Sequence, residues 1–113
     1  MGQTVFYARS SSSTQKSGLE GQIELAKEIG ADKVFSELAS GAKADRVQLK
    51  ACLDYLREGD TLVVHKLDRL ARSMSDLYKI ISKLDEKAVK FRCLDNDAIN
   101  TTTKHGKLLL GIL

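Results

Sequence analysis

The sequence predicts an α/β fold, a mainly parallel sheet of four to five strands with helices on both faces, and three observations carry that reading. Short apolar or β-branched runs recur along the chain, and segments of helical periodicity fill the gaps between them. Glycines stand near the expected boundaries, while proline is absent and leaves the helices unbroken. Strand alternating with helix implies parallel strands joined by right-handed crossovers, because a twisted strand feeding a helix packs back onto its sheet that way.

Taken in order, the predicted strands are Val5 to Ala8, Val34 to Phe35, Thr61 to Val64 and Val89 to Leu94. Leu19, Ile23 and Ala26 recur at helical spacing after the first, Leu49, Leu53 and Leu56 after the second, and Met74, Leu77, Ile81 and Leu84 after the third. Gly18, Gly30, Gly41 and Gly59 punctuate the pattern, and Ser10 to Thr14 reads as a polar loop leaving the first strand. From Lys107 to Leu113 the amphipathic pattern breaks, since Leu108, Leu109, Leu110, Ile112 and Leu113 would cover most of a helix circumference. Such a stretch is buried against another subunit, belongs to a helix that continues in a longer chain, or is the core helix of a small domain.

Composition bounds the rest. With 113 residues, 42% of them hydrophobic and 29% charged, the chain fits one domain with a modest core. It has no apolar run of membrane-spanning length and no secretory signal pattern, so a soluble, cytoplasmic protein is expected. Cys52 and Cys93 lie in apolar stretches without a Cys-x-x-Cys partner and read as small buried hydrophobes in a reducing compartment. A net charge of +3 is weak evidence for a polyanionic partner, so the distribution of charge has to decide.

In open parallel sheets, ligands bind beyond the carboxyl ends of the strands, where strand order reverses. Here the first strand delivers Arg9 and Ser11, the second Glu37, and the third runs through His65 and Lys66 into Asp68 and Arg69. Arg72 follows Arg69 at a spacing that puts both guanidinium groups on one helical face. Arginines around a hydroxyl make a phosphate site in chemical terms: the planar fork matches phosphate oxygens and stays charged as negative charge builds up in a transition state. Taken alone, the Arg69–Arg72 segment would more simply pair with surface carboxylates such as Asp68 and Asp76. Convergence at three strand ends favours the site.

Other phosphate chemistries lack their signatures. The chain has no G-x-x-x-x-G-K-[ST] loop and no G-x-G-x-x-G, and His65 and His105 form no zinc pattern. The first strand end offers Arg9 and hydroxyls where an aspartyl phosphoreceiver needs clustered acids, and no arginine follows Cys93 within ten residues as a cysteine phosphatase loop would require. Serine is the nucleophile that remains.

Four segments, in order, resemble the resolvase and invertase family of serine site-specific recombinases. Tyr7-Ala8-Arg9-Ser10-Ser11 with Gln15 is similar to the family's opening motif, and Ser40-Gly41 with Asp45-Arg46 to its second block. Gly59-Asp60 followed by Lys66-Leu67-Asp68-Arg69-Leu70-Ala71-Arg72-Ser73 resembles the most diagnostic block, and Ile99-Asn100-Thr101-Thr102 with Gly106 resembles the entry into a long dimerisation helix. The chain departs from the pattern in having Glu37 where aspartate is common, Ser10 for valine and Ser12 for threonine, and a longer loop before Gln22, its match to the family's active-site glutamine.

The resemblance implies a resolvase-like catalytic domain over residues 1–113, cut at the start of the dimerisation helix from about residue 104 and without the DNA-binding domain. It makes Ser11 the nucleophile and Arg9, Arg46, Arg69 and Arg72 the phosphate ligands. Asp68 would transfer a proton or orient arginines, with Glu37, Gln15 and Gln22 in support. It implies cleavage of double-stranded DNA through a 5′-phosphoserine, by dimers that pair into a tetramer, with no metal, no nucleotide cofactor and no membrane. Resolution, inversion, transposition and integration share this core. Two rivals keep the fold for other ends: a non-catalytic DNA-associated regulatory protein, and an enzyme that grips a small phosphate ester. The intact Ser11 with its arginines weighs against the first, and the apolar terminal stretch against the second.

Overall fold

The computed structural model describes residues 2–10, 16–38, 47–67, 70, 71 and 73–95. Within them run β1 (Thr4–Ser10), α1 (Lys16–Glu28), β2 (Lys33–Leu38), α2 (Val47–Tyr55), β3 (Thr61–Val64), α3 (Met74–Glu86) and β4 (Lys90–Cys93). All four strands are parallel, in the order β2-β1-β3-β4. The order reverses at β1, whose two neighbours are reached by crossovers running in opposite directions, so helices cover both faces.

Side chains alternate along β1 and sort into two cores. Val5 and Tyr7 face α2 and α3 and join Leu49, Cys52, Leu56, Leu62, Val64, Leu77, Ile80, Leu84 and Phe91. Phe6 and Ala8 face α1, with Ala26 and Val63, and Leu19, Leu25 and Ile29 close the edge. The α3 stripe differs in phase from the predicted one. Leu77, Ile80 and Leu84 are buried, Ile81 only lies against the cluster, and Met74 is 46% exposed. Two adjacent isoleucines fit the period equally well, and packing against the sheet selects Ile80. Each of these buried side chains contributes about 1.5–3 kcal/mol by leaving water.

The helix ends follow from local chemistry. Ser73 caps α3, its hydroxyl accepting from the Asp76 amide at 3.1 Å, and Asp76 places an acid in the first turn. Both α1 and α3 close with the same pair of reverse bonds: Ala31 N–H to Ala26 and Gly30 N–H to Lys27 after α1, Val89 N–H to Leu84 and Ala88 N–H to Asp85 after α3. The left-handed residue is Gly30 (φ +72°) in the first case and Ala88 (φ +57°) in the second. Gly18, expected near a boundary, lies in the first turn of α1.

At the amino edge of the sheet, Asp60 is buried and accepts from the amides of Gln3 (2.8 Å) and Arg57 (2.9 Å), tying β1 to the turn before β3. That motif residue therefore serves the edge opposite the predicted site.

Candidate active site at the carboxyl edge of the sheet

Because the strands are parallel, the ends of β1, β2 and β3 open on one edge, and β1 is the strand at which the order reverses. Three of the predicted site residues lie within the described residues, and the structure brings all three together there: Arg9, Gln22 and Glu37. Ser11, Gln15, Arg46, Asp68, Arg69 and Arg72 lie outside the described residues.

Arg9 is half-buried near the end of β1, beyond the last pairing of β1 with β3 at Phe6 and Val63. Gln22, on the inner face of α1 and 2% exposed, holds its backbone. The Gln22 Oε1 accepts from the Arg9 N–H at 3.1 Å, and its Nε2 donates to the Arg9 carbonyl at 2.9 Å. A carboxamide carries the same donor and acceptor as a peptide, so Gln22 substitutes for a strand neighbour. Both of its polar ends act on Arg9, which makes it a positioning group.

Glu37 stands in register with Arg9 on the adjacent strand. Its Oε2 accepts from the Tyr7 hydroxyl and from the Leu49 amide at 3.1 Å, and its Oε1 from the Gln48 amide at 3.2 Å. The carboxylate thus caps the start of α2, where the first amides of a helix need acceptors and the dipole favours an anion. Glutamate has the reach for this. Tyr7, named by the sequence only as part of a motif, is fully buried, and its hydroxyl needs a partner, which Glu37 on the neighbouring strand supplies.

Ser10 is also fully buried, on the α1 face, and its Oγ finds no hydrogen-bond partner among the described residues. A hydroxyl enclosed there cannot reach a phosphate. Cys52 is likewise removed as a nucleophile: burial first, then the Glu37 carboxylate, pushes its thiol up to about 12 against a smaller opposing effect of Lys87. Cys93 is buried, its thiol donating to the His65 carbonyl oxygen at 3.6 Å, and neither Cys52 nor Cys93 is in a disulfide. Among the described residues no helix is long and apolar enough to cross a membrane. In the diagnostic block, Leu70 is fully buried and Ala71 nearly so, both in the larger core, which fits a segment whose apolar pair turns inward.

Comparison with known proteins agrees with this geometry. Residues 4–113 match the family described as "Resolvase, N terminal domain". The Tn917 resolvase of Enterococcus faecalis is 37% identical over 107 residues, 95% of this chain and 56% of that protein. The DNA-invertase of Escherichia phage P1 is 39% identical over 107 residues, again 95% of this chain and 56% of that protein. The N-terminal catalytic domain of TP901-1 integrase superposes with a TM-score of 0.76 at 26% identity, covering 96% of this chain and 89% of that one. The chain spans about half the length of the curated relatives it matches. With the family pattern matched over almost all of its length, on a parallel sheet whose switch point holds Arg9, this chain belongs to the resolvase family of site-specific serine recombinases.

Proposed function

We propose that this domain cleaves and rejoins double-stranded DNA through a serine–phosphate ester. The observation that carries the reading is the anchoring of Arg9 at the switch point, two residues before Ser11, by a buried amide that fixes its backbone. Ser11 Oγ attacks a backbone phosphate in line. The O–P bond to serine forms as the bond to the 3′ oxygen breaks, the serine proton passes to a base, and the leaving oxygen takes up a proton. The 5′ phosphate then sits on Ser11 until a 3′ hydroxyl reverses the step, so the bond energy is kept and no nucleotide is consumed. Arg9, Arg46, Arg69 and Arg72 stabilise the charge of the pentacovalent state, and Asp68 transfers a proton or orients them. The burial of Ser10 supports Ser11 as the nucleophile within the serine run. Assembly follows the family: dimers that pair into a tetramer on DNA.

Replacement by lysine tests the arginines, because charge is kept and the planar fork is lost. In single-turnover cleavage at saturating DNA carrying the recombination site, Arg9→Lys, Arg69→Lys and Arg72→Lys each slow the reaction by about a hundredfold to a thousandfold, with binding little changed. Near wild-type cleavage with weakened, more salt-sensitive binding would make them DNA anchors instead.

A further inference from the structure

We propose that Lys66 binds a DNA phosphate beside the one that is cut, a proposal that rests on the reading of the carboxyl edge as the place where this domain meets DNA. β1 pairs with β3 only as far as Phe6 and Val63, while its pairing with β2 runs on to Ser10 and Leu38. Beyond that point the Arg9 backbone bonds Gln22 in place of a β3 neighbour, so the carboxyl ends of β1 and β3 part at the switch point. Lys66 follows β3 there, and its backbone is fixed on both sides. The His65 carbonyl accepts from the Asp95 amide at 2.8 Å, and the Leu67 carbonyl accepts from the amides of Leu70 and Ala71, both at 3.0 Å. Leu70 and Ala71 are buried in the larger core, with Leu67 packed against it. A cation carried on backbone held in this way is already in place for an anion at the edge.

Lys66 is half-buried, yet its ammonium makes no hydrogen bond and no ion pair among the described residues. Lys87, also half-buried, donates to the Leu53 carbonyl in the last turn of α2. Even the exposed Lys33 lies over the rings of Phe35 and Tyr55, and Lys27 pairs with Glu24. A lysine on an open surface keeps its ammonium in water at little cost, whereas one half-buried without an acceptor gives up hydration and gains nothing within the fold. An acceptor from outside supplies what is missing, and at this edge the polyanion is DNA. The kind of cation assigns the phosphate. Arginine's planar fork suits the phosphate whose charge changes in the reaction, and Arg69 and Arg72 follow Lys66 by three and six residues. An ammonium is a compact point charge that holds a phosphodiester in any orientation. Lys66 therefore contributes affinity, the same before and during the reaction.

The test measures binding of this chain to a short DNA duplex of mixed sequence as a function of salt, with the backbone amide resonances followed on binding. In the wild type the duplex shifts the resonances of Arg9, His65 and Lys66. Lys66→Gln binds about eightfold more weakly at about 0.1 M salt, and its slope of log Kd against log salt falls by about one, because one phosphate fewer is neutralised. Lys66→Arg, which keeps the charge, keeps the wild-type slope. Lys66→Gln also melts no lower than the wild type, since the ammonium bonds nothing in the fold. Unchanged Kd and slope in Lys66→Gln overturn the proposal, and so does weaker binding at the wild-type slope or a slope reduced in Lys66→Arg as well. A lower melting midpoint in Lys66→Gln overturns it too, because Lys66 would then have its partner inside the domain. A duplex that shifts residues away from this edge, or none, removes the reading of the edge as the DNA site, and the proposal with it.

Discussion

The two faces of the sheet differ in what they bury. On the α2 and α3 face, Leu49, Leu56, Leu77, Ile80, Leu84 and Phe91 pack with strand side chains into a continuous apolar layer. The α1 face has a small cluster around Phe6, Ala8, Ala26 and Val63, and beside it two buried polar side chains, Gln22 and Ser10. The larger face supplies most of the hydrophobic stabilisation. The smaller one fixes the backbone at the end of β1, where Arg9, the first arginine proposed for the site, is delivered. Because Gln22 and Arg9 lie on different elements, the geometry of the site depends on α1 keeping its place against the sheet.

Breaking the Gln22 clamp gives the largest expected effect on this contrast. Gln22→Leu removes both hydrogen bonds to the Arg9 backbone in a buried setting and costs about 2–5 kcal/mol, seen as a lower denaturation midpoint. An unchanged midpoint would mean that the smaller face is not organised around Arg9. Ser10→Ala acts in the opposite direction. It deletes a buried hydroxyl without a partner among the described residues and raises stability by about 1 kcal/mol. A loss of stability there would show that the hydroxyl is bonded after all.

The helix ends sharpen the comparison with a smaller effect. The same reverse turn closes the helix on each face, with Gly30 after α1 and Ala88 after α3 in the left-handed position. Ala88→Gly relieves a side chain from a conformation that disfavours it and stabilises by about 1 kcal/mol, whereas Gly30→Ala costs about as much. Thermal melts of the two variants should move in opposite directions.

Much of the architecture was legible because strand runs and helical periods alternate cleanly, and all four predicted strands form. What the pattern could not decide were questions of phase. Ile80 and Ile81 fit the α3 stripe alike, and only packing against the sheet selects Ile80. Of the candidate site, Arg9 and Glu37 were legible as residue types at strand ends, since parallel strands must deliver them to one edge. The partners of Gln22 and Glu37 were not. Gln22 spends its amide on a backbone and Glu37 spends its carboxylate on a helix start, and both choices depend on distances between elements that a single sequence does not encode locally. Tyr7 could have been found by asking which acid on the neighbouring strand, two residues beyond its register partner Phe35, a buried phenol could reach.

The central claim, that the site forms a covalent ester on Ser11, is tested most directly by trapping it. The full-length protein is incubated with a nicked suicide substrate carrying its recombination site, digested, and the DNA-bound peptide mapped by mass spectrometry. The account predicts a phosphoester on Ser11, lost in Ser11→Ala and retained in Ser10→Ala and Ser12→Ala. An adduct on Ser10, Ser12 or Ser13, or no covalent adduct from protein that binds the site, would contradict it.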